Sequence, residues 1–207
     1  MGFPSRWWGA VLISSVSFLT VAVAQTDLVN RSFESGTDPG EVRTLPPKST
    51  AIDGWTVVGS NITYVGGRWK HADGLRSVGL LCGGGISQTF ETDPTLEYEV
   101  RFNMAGDPNT PPAVKTLAVS FGNDRRVFTF DTAGRSLANM GWEARSWVFP
   151  ATDKTTTLTF SSPMTECSTP AVDNVRVMPG DGAVQAHPID GPARRAAILG
   201  GDFRGFH

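Results

Sequence analysis

At 207 residues the chain has room for one domain, or for one domain with tails. Its 18 Lys and Arg against 20 Asp and Glu give a formal net charge of −2 with no basic block, which excludes electrostatic capture of nucleic acid or anionic membrane as a function. The same sequence lacks the clustered His and Cys spacing of a zinc site.

Residues 1–24 read as a secretory signal. Arg6 supplies the positive start, an apolar stretch runs from Trp7 to Val23, and Ala22-Val23-Ala24 is a small-x-small cleavage site. Ser14, Ser15, Ser17 and Thr20 interrupt the stretch and no basic stop-transfer cluster follows, so cleavage is expected rather than a membrane anchor. The expected product is secreted or extracellular, in a compartment where Cys82 and Cys167 form one disulfide.

The folded part is expected over 25–178. Strands are predicted at Leu28–Glu34, Trp55–Val58, Ile62–Val65, Arg76–Leu81 and Ile86–Phe90. Leu96, Tyr98, Val100, Phe102 and Met104 alternate with Glu97, Glu99, Arg101 and Asn103, the period of a half-buried antiparallel strand. Leu117–Phe121 and Val127–Asp131 flank Gly122-Asn123-Asp124 as a hairpin, and Gly59-Ser60-Asn61 suggests a second one between Trp55–Val58 and Ile62–Val65. Trp142–Phe149, Thr155–Ser161 and Ala171–Met178 complete about ten short strands, an all-β pattern that fits a β-sandwich or jelly roll. Residues 35–53 and 105–114 carry too much Pro and Gly for regular structure, and 179–207 read as a disordered tail.

Little catalytic equipment is visible. His71 is the sole histidine of the expected domain, and no serine sits in a Gly-x-Ser-x-Gly elbow. Gly83-Gly84-Gly85 precedes a strand, so it cannot aim helix-terminal amides at a phosphate. Alternation puts Asp173 on the same core-facing side as Val175 and Val177, where a carboxylate must be hydrogen-bonded, paired or bound to a cation. Glu34 is a possible co-ligand, and oxygen ligands of this kind suit calcium. Equally, each carboxylate could accept backbone amides in a turn.

Sugar binding needs an aromatic platform with polar groups at its rim. Trp69 lies in a polar loop, with Tyr64, Arg68, His71 and Asp73 near it in sequence, and Trp142 at a strand start is a second platform. Trp55 and Trp147 sit inside strand runs and read as core. Asn61 begins a formal glycosylation sequon at the second expected turn, usable in a eukaryote; the sequon at Asn30 falls within a structural motif and is set aside.

Seven motifs in order then carry a family resemblance. They are Asn30-x-Ser32-Phe33-Glu34, Gly54-Trp55-Thr56-Val57, Tyr64-Val65 with Trp69 and Asp73-Gly74 downstream, Gly84 to Phe90, Pro112 to Lys115, Asn139 to Trp142, and Pro170 to Val175. Over 28–178 the chain resembles domain-of-unknown-function family 642 and the related choice-of-anchor C proteins. The resemblance implies a galactose-binding-like jelly roll, an extracellular and cell-wall association, polysaccharide ligands, and pectin methylesterases as protein partners, with no established enzyme among the members. Similar carbohydrate-binding modules hold a structural calcium through residues that correspond here to Glu34 and Asp173.

The leading expectation is a secreted, non-catalytic carbohydrate-binding module. The alternatives are an extracellular structural or protein-interaction domain, such as a partner of wall-modifying esterases, and a small glycosidase using two carboxylates about 5–10 Å apart.

Overall fold

The computed structural model describes residues 28–163 and 167–180; the expected leader, and all of the expected tail except Pro179 and Gly180, lie outside them. Eleven strands form in chain order: β1 (Val42–Leu45), β2 (Thr56–Gly59), β3 (Ile62–Val65), β4 (Ser77–Leu80), β5 (Gly84–Glu91), β6 (Glu97–Gly106), β7 (Val114–Phe121), β8 (Asp124–Asp131), β9 (Glu143–Pro150), β10 (Thr155–Ser161) and β11 (Pro170–Pro179). They make two antiparallel sheets, ordered β1-β3-β4-β11-β6-β9 and β2-β5-β10-β7-β8. The chain crosses repeatedly between them, the connectivity of a jelly-roll β-sandwich.

Period-two alternation fills the space between the sheets. Tyr98, Val100, Phe102 and Met104 of β6 face Leu117, Val119 and Phe121 of β7 and Leu158 and Phe160 of β10, all buried. Phe102 meets Phe160 edge-on at 5.1 Å and Phe128 at 5.2 Å, a packing that fixes the spacing of the two sheets. The same alternation gives β6, β9 and β11 a polar outer face. The β7–β8 hairpin forms as expected; its tight turn begins at Gly122, whose φ of 59° a residue with a side chain adopts poorly. Cys82 and Cys167 are disulfide-bonded.

Three local expectations are corrected. Leu28–Glu34 is not a strand: Asn30 and Phe33 take positive φ, and the Asn30 side chain bonds the Ser35 amide and the Ser35 and Asp53 carbonyls, replacing a ladder with a local knot. Gln88 serves as that segment's pairing partner, accepting from Val29 N at 2.7 Å and donating to Val29 O at 3.1 Å. The stretch 35–53 is not irregular throughout, because β1 forms within it against β3. Finally, β2 and β3 are not a hairpin. Gly59, with φ of 68°, sends the chain across the core, so β2 pairs with β5 while β3 pairs with β1 and β4.

Candidate functional site

The loop from Gly66 to Arg76 was the expected sugar platform, and its aromatic residues turn inward. Gly66, Gly67 and Arg68 all donate their amides to the Glu41 carbonyl, and a Cβ on Gly66 would lie 2.2 Å from the Gly40 carbonyl oxygen. This backbone-to-backbone contact folds the loop onto β4. Trp69 is 4% exposed, which rules out a stacking face for a sugar ring. Its indole lies over Gly79, where an added Cβ would come within 2.9 Å of the ring.

A short relay completes the seal. The Gly66 carbonyl can only accept, so His71 carries its proton on Nε2, leaving Nδ1 to accept from Ser77 Oγ at 2.8 Å. Ser77 Oγ in turn accepts from Trp69 Nε1 at 2.8 Å. The serine–histidine pair resembles a nucleophile with its base, but Ser77 is wholly buried and a carbonyl stands where an orienting carboxylate would be.

The other expected ligand groups are also turned to internal use. Tyr64 is buried; it donates to the Phe33 carbonyl and accepts from Arg76 at 2.8 Å, and burial raises its phenol pKa. Arg68 pairs with Asp107 at 2.9 Å, and Asp73 accepts from Ser32 at 2.6 Å. Trp142 is half-buried and donates Nε1 to the Lys70 carbonyl at 2.8 Å, pinning the far side of the loop. Trp55 is core as expected, whereas Trp147 is partly exposed, with the Arg126 guanidinium 4.8 Å from its ring centre. Asn61 is exposed in the crossing between β2 and β3.

Asp173 is fully buried, but not on the face of Val175 and Val177. A bulge between Asp173 and Arg176 breaks the alternation, so Asp173 shares the outward side of its partner Asn103 and is covered there by the loop. Its Oδ2 accepts from the amides of Ala72 and Asp73, both at 2.9 Å, and its Oδ1 from that of Asn174 at 2.7 Å. Glu34 Oε1 accepts from the amides of Leu75 and Arg76, also at 2.9 Å. Two carboxylates thus grip adjacent stretches at the end of one loop. Amide hydrogens supply the positive charge a cation would bring, and among the described residues no three His, Cys, Asp or Glu side chains are grouped to hold a metal ion.

A different region has the geometry of a binding surface. On the outer face of the six-stranded sheet, a depression of about 460 Å³ is lined by Glu99 to Asn103 of β6 (Val100 apart), Ala144, Arg145 and Ser146 of β9, and Asn174 and Arg176 of β11. Strand register builds it in rungs. Ser146, Arg101 and Arg176 form one rung, and Ala144 lies opposite Asn103 in the next. Between Asp173 and Arg176 the register slips by a bulge, and Asn174 takes a φ of 49°. Val175 faces the core and Asn174 and Arg176 face out, while Asp173, opposite Asn103, is buried on the outward side beneath the loop.

The hydrogen bonds in the depression run one way. Arg176 Nε donates to Asn174 Oδ1 at 3.2 Å, and Asn174 Nδ2 donates to Asn103 Oδ1 at 2.9 Å. Because a guanidinium can only donate, the orientation of both amides follows, and Asn103 turns its Nδ2 donors outward. Glu99 accepts from Arg101 at 2.7 Å and from Ser146, which holds its carboxyl below the usual range and keeps it ionised. It is the one carboxylate in the lining, so the depression lacks the acid pair that glycoside hydrolysis requires. The alternation in the sequence places Glu99, Arg101 and Asn103 on the polar side of β6 without assigning them a role. The signal was present as Arg101-x-Asn103 and Asn174-x-Arg176, mirror-image triplets that antiparallel pairing and the bulge bring together.

Comparison with known proteins gives three findings. The family described as "Protein of unknown function (DUF642)" matches residues 26–178. Halomucin of Haloquadratum walsbyi is 29% identical over 209 residues, covering 93% of this chain; the chain spans about 2% of Halomucin's length. Among solved structures, an arabinose-bound α-L-arabinofuranosidase (MgGH51) aligns with a TM-score of 0.50 at 13% identity, over 76% of this chain and 27% of that one. The CBM22-1 xylan-binding domain of Paenibacillus barcinonensis Xyn10C aligns at 0.49 and 13%, over 77% and 97%.

Proposed function

We propose that this chain, which belongs to the family described as Protein of unknown function (DUF642), is a secreted, non-catalytic glycan-binding module whose sugar site is the depression on the outer face of β6, β9 and β11. The carrying observation is the donor and acceptor set there, made of the outward guanidinium groups of Arg101 and Arg176 beside a third, Arg145, that pairs with Glu143, together with two oriented amides, a hydroxyl and an ionised carboxylate on three paired strands. Sugar hydroxyls need this mixture, and a rigid sheet holds it without an ordering cost at binding. Secretion is supported by the leader pattern in residues 1–24 and by the Cys82–Cys167 bond, of a kind that persists in oxidising compartments.

Retention of the folded chain on a panel of plant, bacterial and algal polysaccharides tests the reading. At least one polymer should retain it, and the paired substitution Asn103→Ala with Asn174→Gly, glycine keeping the positive φ at the bulge, should abolish retention while leaving the thermal midpoint within a few degrees. A folded sample that no polymer retains overturns the proposal.

A further inference from the structure

Arg101 and Arg176 are direct cross-strand partners on the outer face of the six-stranded sheet. Like charges placed opposite one another destabilise a sheet. One carboxylate, Glu99, shares the surface, and it is engaged with Arg101. Arg176 makes no ion pair with a carboxylate among the described residues. The amide chain adds to the imbalance. It starts at Arg176 Nε and ends at the outward donors of Asn103. The surface between the two guanidinium groups is therefore cationic and rich in donors, on a chain whose formal net charge is −2.

Resting on the proposed glycan site, we infer that this surface selects an oxyanion carried on the sugar, a uronate carboxylate or a sulfate half-ester, held between Arg101 and Arg176. Guanidinium groups bind such oxygens through paired, charge-assisted hydrogen bonds. Asn103 adds a neutral donor beside them, and the small Ala144 opposite it leaves room for the ring that bears the charge. Glu99 holds the Arg101 guanidinium on its 22 % exposed carboxylate and repels an anion from that side, so the ligand is directed toward Arg176.

The test measures affinity of the full chain for alginate, carboxyl-reduced alginate, dextran sulfate and neutral xylan, in wild type, Arg176→Gln and the control Arg125→Gln. Arg125 is exposed on β8, in the other sheet. Alginate or dextran sulfate should bind, and the preferred one identifies carboxylate or sulfate as the group read. Carboxyl reduction should remove alginate binding. Arg176→Gln should weaken the preferred polyanion about tenfold, and Arg125→Gln should leave it unchanged. Equal weakening by both variants, or binding indifferent to Arg176→Gln, overturns the inference as general attraction between charges. Retention on xylan with neither polyanion bound overturns it too, while leaving the glycan proposal intact. Failure of all four polymers with a folded sample removes both.

Discussion

The loop over β4 and the outer face of β6, β9 and β11 are both rich in polar and charged side chains, yet they use them oppositely. In and around the loop, Tyr64, His71, Asp73, Glu34 and Asp173 each bond a neighbouring protein group, and the chain closes over Trp69. On the sheet face, the chain of amides directs donors outward and two like charges stand side by side. Polar composition alone therefore does not mark a binding surface. What matters is whether the donors and acceptors are already satisfied by the fold.

The strongest way to break this contrast is Trp69→Ala. A buried indole leaves a cavity, and about 3–5 kcal/mol of stability should be lost in denaturant unfolding. Unchanged stability with lost sugar binding would restore the loop as the site. The Asp173 clamp should have the next largest effect. Burial pushes its carboxyl up to about 7, the three amide donors pulling the other way. The unfolded group titrates near 4, so between about pH 4 and about pH 7 the folded chain holds a proton the unfolded chain has released. Stability must then fall as pH rises through that window, by on the order of a few kcal/mol, and level off above it. Unfolding midpoints at about pH 5 and about pH 8 measure the drop, and Asp173→Asn should flatten it. The smallest effect belongs to the sheet face. Arg176→Gln should change stability by less than about 0.5 kcal/mol, or raise it slightly by relieving the like-charge pair. A loss of several kcal/mol would mean that the pair is structural.

The fold was legible where one face of a strand is apolar. Alternation in Glu97–Met104 located β6, its buried face and its polar one; it misplaced Asp173, because the bulge after it shifts the face of Val175 and Val177. It failed where side chains replace the ladder, as at Asn30 and Gln88, and where a glycine redirects the chain, as at Gly59. The site was less legible. Trp69 was read from its polar neighbours, although Gly79 in the middle of β4 signalled that something bulky lies against that strand. The sheet-face site depends on cross-strand register and on the bulge at Asn174, and both emerge only when β6 and β11 are paired.

Cys82 lies in the passage from β4 to β5, and Cys167 in the one from β10 to β11. Each passage connects the two sheets, so the bond rivets a pair of crossovers together. Tension applied on the carboxyl-terminal side would load β11 first, a strand held between β4 and β6. The rivet passes that pull to the start of β5 in the opposite sheet, so both layers share it. A domain fastened in this way resists being peeled open strand by strand.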